Sequence, residues 1–127
     1  MAKILLVDDD AVMRQVVGHT LEGQGYRCEH APSGHEGLVK LCEATAAGEP
    51  FDCILLDIAM PEINGWQFLE AVKSNPLWCG TKVVVLTGYA GSARDVARAS
   101  AMDCLHCEKR GRFLDLLGPL VERLMTA

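Results

Sequence analysis

Long apolar runs are missing from this chain. The longest, Ile4–Val7, Cys53–Leu56 and Val83–Leu86, hold four residues each, whereas a membrane-spanning helix needs about 20. The opening segment reaches acids immediately after Val7, which also makes it too short for a secretory leader. A soluble cytoplasmic protein is expected. Positive charge is scarce as well. Lys and Arg total 12 against 17 Asp and Glu, for a net charge of -5. That balance argues against direct nucleic-acid binding, which needs a basic face. A second CxxC is absent. Cys104-Leu-His-Cys107 stands alone, which makes a metal knuckle or redox pair a weak reading. Without a secretory signal the six cysteines are expected to be reduced, and several sit in apolar runs as small hydrophobes. Repeats, low-complexity segments and linkers are absent too. The 127 residues are therefore expected to form one domain, 1–127, with a single well-buried core.

The chain that remains alternates between two periodicities. Lys3–Val7 is an apolar run ending in Asp8-Asp9-Asp10, a first buried strand. Val12, Val16, Val17 and Leu21 recur at helical spacing, and Gly23 and Gly25 end that helix. Tyr26–Ala31 alternates loosely as a second strand. Ser33 with Glu36 three residues on predicts a helix N-terminus. Leu38, Leu41 and Cys42 mark that helix's buried face, and Ala44–Gly48 prolongs it or frays from it. Cys53–Leu56 is a third strand without polar alternation, as burial on both faces requires. It ends in Asp57, and Met60-Pro61 stops it.

Asn64-Gly65 is a turn signal. Trp66–Lys73 follows as a helix with Phe68, Leu69 and Val72 on one face, closed by Asn75-Pro76. Lys82–Leu86 is the fourth strand and runs into Thr87-Gly88. Ser92–Met102 is an Ala-rich helix. Cys104–Glu108 is a fifth strand ending at Lys109. Phe113, Leu116, Leu117, Leu120, Val121 and Leu124 form a last helical stripe, with a kink or break expected at Gly118-Pro119. Five strand–helix units imply a doubly wound α/β fold, a five-stranded parallel sheet with helices on both faces.

Parallel strands place their carboxyl ends on one edge. Asp8 and Asp9 arrive from the first strand, Asp57 from the third, Thr87 from the fourth and Lys109 from the fifth. Two like charges about 4 Å apart repel by about 4 kcal/mol at an effective dielectric of 20. A group of three carboxylates therefore calls for a cation, and hard oxygen ligands select Mg²⁺. With a metal present, Asp57 can attack a phosphorus atom in line and form an aspartyl phosphate. Thr87 can donate to one phosphoryl oxygen, and Lys109 can neutralise another. Taken singly, each residue has a bland role. Asp10 suits a helix cap and is assigned to it. A lone Thr at a strand end is usually a turn residue, and a lone Lys is usually solvated. The combination carries the inference.

Ile4-Leu-Leu-Val-Asp-Asp9, Leu55-Leu-Asp57 with Met60-Pro61 and Gly65, Val85-Leu-Thr87-Gly88, and Lys109 occur in that order. Together they resemble the receiver domain of two-component response regulators, over essentially the whole chain. The resemblance implies a flavodoxin-like (βα)5 receiver fold. It implies that Asp57 is the phosphoacceptor, supplied by a sensor histidine kinase or a phosphotransfer protein. It implies Mg²⁺ held by the side chains of Asp8, Asp9 and Asp57 and by the backbone carbonyl of Ala59. Thr87 and Lys109 would read the phosphoryl group. Arg110-Gly111 follows the lysine where the family usually has Pro. The position that usually holds a switching Tyr or Phe falls on His106, or on Leu105 in the other register. An unperturbed histidine is partly charged near pH 6.5, and an ordinary strand histidine is the plainer reading of His106. Ala59 and Tyr89, two residues beyond Asp57 and Thr87, occupy positions that tune phosphate lifetime in the family.

The leading function is a phosphoacceptor signalling switch rather than an enzyme. Its output surface would be the fourth helix, fifth strand and last helix, acting on a downstream protein or on an output domain outside this sequence. A homodimer through that surface fits the mixed charges of the last two helices, which equally suit solvated faces. A Mg²⁺-dependent phosphohydrolase with an aspartyl nucleophile is a poorer reading. It normally needs a second acid two residues after the nucleophile, and Ala59 stands there. A phosphorylation-independent binding module is the third reading, kept open by Arg110 and opposed by the intact acidic set.

Overall fold

The computed structural model describes residues 2–58, 65–87, 93–109 and 111–126. Five strands alternate with five helices: β1 (Lys3–Val7), α1 (Ala11–Glu22), β2 (Arg27–Ala31), α2 (Gly34–Ala46), β3 (Cys53–Asp57), α3 (Gly65–Ser74), β4 (Lys82–Thr87), α4 (Ala93–Ala101), β5 (Leu105–Glu108) and α5 (Phe113–Thr126). All strand pairs are parallel, in the order β2-β1-β3-β4-β5. This is the doubly wound, flavodoxin-like arrangement. Its strand order reverses between β1 and β3, where a crevice opens at the strands' carboxyl ends.

The unalternating strands are explained by two cores, one on each face of the sheet. Leu5, Val7, Ile54, Leu56, Val83 and Val85 face Leu41 of α2, Phe68, Leu69 and Val72 of α3, and Ala99 of α4. Their strand neighbours Ile4, Leu6, Cys53, Leu55, Val84 and Leu86 face Val17 and Leu21 of α1 and Phe113, Leu117 and Val121 of α5. Successive strand residues point to opposite faces, so a central strand covered on both sides must be apolar throughout.

Helix ends follow their capping residues. The Asp10 carboxylate accepts from the amides of Val12 and Met13 at the start of α1. Ser33 Oγ accepts from Glu36 N at the start of α2. Gly25, at φ 97°, carries the chain out of α1 in a conformation that costs glycine little. Of the segment 44–48, residues 44–46 prolong α2 and Ala47 caps it. There Thr45 Oγ1 accepts from Trp78 Nε1 at 3.0 Å, pinning the α3–β4 connection. Ala44 and Thr45 are therefore packed supports, while residues 46–48 are exposed.

The expected break at Gly118-Pro119 does not occur, and α5 runs unbroken from Phe113 to Thr126. Pro119 removes the amide that would reach the Asp115 carbonyl. Both residues are exposed, so solvent can satisfy that carbonyl. Among the described residues, no helix is long and apolar enough to cross a membrane.

Candidate metal and phosphoryl site

Three carboxylates meet at the β1/β3 reversal. Asp8 and Asp9 follow β1 directly, and Asp57 is the last residue of β3. One oxygen from each lies within 4.8 Å of the other two. Asp8 is 4% and Asp57 6% exposed, while Asp9 is open to solvent. This donor set, all hard oxygen and partly dry, fits Mg²⁺, which keeps several waters and takes few protein ligands.

Asp8 is held at four points. Its amide donates to Ala31 O at 3.1 Å. Its Oδ1 accepts from Asp10 N at 2.9 Å, and its Oδ2 from Lys109 Nζ at 2.6 Å. Its carbonyl accepts from Arg14 Nη1 at 2.6 Å. Lys109 also lies 3.4 Å from Asp57 Oδ2. The lysine follows β5, and its own amide donates to Thr87 O at 2.7 Å. That backbone bond fixes the root of the side chain beside β4.

Asp57 is placed by a close backbone approach. Gly65, the first residue of α3, donates to Ile58 O at 3.1 Å. A Cβ at this position would overlap Ile58 Cα and come within 2.7 Å of Asp57 O. Only glycine lets α3 start this near the end of β3.

Thr87, the last residue of β4, is buried, and its Oγ1 shares a 2.9 Å hydrogen bond with His106 Nε2. The register pairs Val85 with His106, so Thr87, two residues on, faces the same side of the sheet. Leu105 packs into the opposite core, beside α1 and α5. Of the two residues considered for the switch position, His106 is the one that touches Thr87.

Asp8, Asp9, Asp57, Thr87 and Lys109 are thus brought to one edge. Ala59, Tyr89 and Arg110 lie outside the described residues. Cys104 and Cys107 belong to opposite cores, so they do not form a shared metal site. Burial pushes both thiols up from their ordinary value, and Cys53 up to about 12. Two contacts were missed by the sequence reading, Arg14 to Asp8 and His106 to Thr87. Arg14 had a signal. It falls on the spacing 14, 18, 21 that α1 turns towards the sheet, an unusual place for a cation.

Residues 4–114 match the response regulator receiver domain family. The response regulator receiver protein CpdR of Brucella abortus is 30% identical over the full length of both chains. The solved structure of Vibrio cholerae chemotaxis protein CheY4 superposes with a TM-score of 0.83 at 31% identity, covering 98% of each chain. A CheY-like receiver domain protein from Methanospirillum hungatei gives 0.80 at 30%, covering 98% of this chain and 94% of its own. Other relatives are far longer. The chain spans 11% of a gliding motility regulatory protein of Myxococcus xanthus and 30% of a CpxR homologue of Haemophilus influenzae. This chain belongs to the response regulator receiver domain family. Receiver domains are signalling switches of two-component systems, characteristically phosphorylated on aspartate. They bind Mg²⁺ at an acidic pocket and work with histidine kinases or phosphotransfer proteins and with output domains.

Proposed function

We propose that this chain, as a single receiver domain, is a phosphoacceptor switch in which Asp57 takes a phosphoryl group from a histidine kinase or phosphotransfer protein. The observation that carries this reading is the meeting of Asp8, Asp9 and Asp57 within 4.8 Å, with Lys109 reaching two of them. An Asp57 carboxylate oxygen forms the new bond to phosphorus as the donor's phosphorus–nitrogen bond breaks. Asp8, Asp9 and Asp57, with the carbonyl of Ala59, would hold Mg²⁺. The metal supplies charge neutralisation between the two anions and polarises a phosphoryl oxygen. Lys109 exchanges a carboxylate partner for a phosphoryl oxygen, a strong charge-assisted contact.

Thr87 has one hydroxyl proton, and donating it to the phosphoryl group changes its contact with His106. His106 lines a groove of about 500 Å³ between β5 and α5, together with Glu108, Leu116, Pro119, Leu120 and Arg123. The chemical event is thereby linked to the α4-β5-α5 surface, which biases docking of a downstream protein or output domain. The reading further places the protein in the cytoplasm and gives it no direct nucleic-acid contact.

Incubation with Mg²⁺ and acetyl phosphate, followed by intact mass, tests the proposal. One phosphoryl group per chain is expected, with none on Asp57→Asn. Multiple-turnover phosphate release from unrelated esters would favour a hydrolase. No adduct and no Mg²⁺ binding would favour a phosphorylation-independent binding module.

A further inference from the structure

We propose that Arg14 is a positioning residue that holds the Asp8–Asp9 peptide in the orientation metal binding needs. The proposal rests on the metal reading given above. Two cationic side chains bond to Asp8, and they act on different atoms. Lys109 Nζ sits on the carboxylate, 2.6 Å from Oδ2, and so competes with an incoming cation. Arg14 Nη1 donates to the backbone carbonyl at 2.6 Å, and so engages neither carboxylate oxygen. The arginine contact therefore persists in the metal-bound state, whereas the lysine contact must rearrange.

The geometry explains why this carbonyl matters. Asp8 O belongs to the peptide that joins the two adjacent acids. Peptide planarity ties the direction of that carbonyl to the direction of the Asp9 amide. Fixing one atom thus fixes how the Asp8 and Asp9 side chains diverge from the end of β1. The preceding peptide is fixed independently, by Asp8 N donating to Ala31 O. Arg14 itself is anchored on α1 between the capped first turn and the buried residues Val17, Gly18 and Leu21.

A second observation separates Arg14 from an ordinary surface cation. Its Nε is buried and has no hydrogen-bond partner among the described residues. A guanidinium offers five donors in a rigid fork, and burying one of them unsatisfied is unfavourable. The contact to Asp8 O is thus made at a cost to the side chain. Residues that orient metal ligands without touching the ion commonly change affinity by 10–100-fold when lost.

The test is a calorimetric Mg²⁺ titration of the intact protein, Arg14→Gln, Arg14→Lys and Leu21→Ala. Leu21 is buried on α1 but does not line the small cavity that Asp8, Arg14 and Val17 share, so Leu21→Ala loosens α1 away from Asp8. Arg14→Gln is expected to bind Mg²⁺ about 10-fold more weakly, and Arg14→Lys, which keeps one donor, to recover most of that loss. Leu21→Ala is expected to bind as the unsubstituted protein does, even if its urea midpoint falls further. Unchanged affinity in Arg14→Gln, or equal weakening in Leu21→Ala, would overturn the assignment. Should Arg14→Gln not fold, the Arg14 Nε–Hε resonance of the unsubstituted protein decides. As the persisting contact requires, its protection from solvent exchange is expected to be kept at saturating Mg²⁺, and loss of that protection on Mg²⁺ binding overturns the proposal. Failure of the unsubstituted protein to bind Mg²⁺ would instead overturn the metal site on which the proposal rests.

Discussion

Lys109 Nζ stands 2.6 Å from Asp8 Oδ2, an ion pair between residues 101 positions apart in the chain. With Asp57 Oδ2 a further 3.4 Å contact, one ammonium offsets much of the repulsion at the β1/β3 reversal. Lys109→Met removes that charge and leaves two buried acids facing each other. The metal-free variant is expected to be less stable by about 2 kcal/mol, below the full cost of breaking a buried pair because the site opens to water. Saturating Mg²⁺ should raise its stability more than it raises that of the unsubstituted protein. Urea unfolding with and without the ion measures both effects, and equal Mg²⁺ gains in the two proteins would contradict the role given to Lys109.

The start of α3 is a steric matter. Gly65→Ala places a methyl group against Ile58 Cα and Asp57 O, both backbone atoms that cannot rotate away. A loss of about 3 kcal/mol is expected, at the upper end of the overpacking range. Acetyl phosphate labelling should slow as well, because Asp57 sits on the displaced strand end. Chemical denaturation that finds Gly65→Ala as stable as the parent would show that α3 can shift freely.

His30, half-buried in β2, has its pKa lowered from 6.5 by burial, then by the nearby charge of Arg14. The fold therefore resists a proton that the unfolded chain accepts. Stability is complete above the unfolded value and falls as pH drops through about 6.5 towards the folded value. A shallow loss on acidification is expected, and His30→Gln should flatten it. Urea midpoints measured between neutral pH and pH 5.5 would decide; a parent slope no steeper than the variant's would contradict the assignment.

The thiols should divide by exposure. Cys42 and Cys79 are exposed, whereas Cys53, Cys104 and Cys107 are buried. Burial pushes Cys28 up to about 11 and Cys53 up to about 12, which suppresses their thiolates. A soluble disulfide reagent should label Cys42 and Cys79 rapidly, the partly buried Cys28 slowly, and Cys53, Cys104 and Cys107 only on unfolding. Replacing Cys104 and Cys107 by Ala should leave Mg²⁺ affinity unchanged. Fast labelling of either would show that β5 opens.

Much of the site is legible in the sequence because strand-end acids need no side-chain detail. Ile4–Val7 and Cys53–Leu56 had to be central strands, and parallel pairing then put Asp8 beside Asp57. The caps at Asp10 and Ser33 followed from local chemistry alone. Contacts set by register or by a helix's approach were out of reach. The bond between Thr87 and His106 depends on Val85 pairing with His106, and a one-residue slip would have brought Leu105 there instead. Arg14 has the spacing of the sheet-facing side of α1, but its partner is not identifiable until α1 is seated on β1. At Pro119 a local rule was overridden, because packing of Leu117 and Val121 against the sheet keeps α5 continuous across one missing bond.

The most direct measurement is the position of the phosphoryl group. Treat the Mg²⁺ and acetyl phosphate product with borohydride, which reduces an acyl phosphate to the alcohol, and sequence the peptides by mass spectrometry. Homoserine at position 57 alone is expected. Label at Asp8, at Asp9 or on a histidine, with Asp57 unmodified, would contradict the assignment of Asp57 as the acceptor.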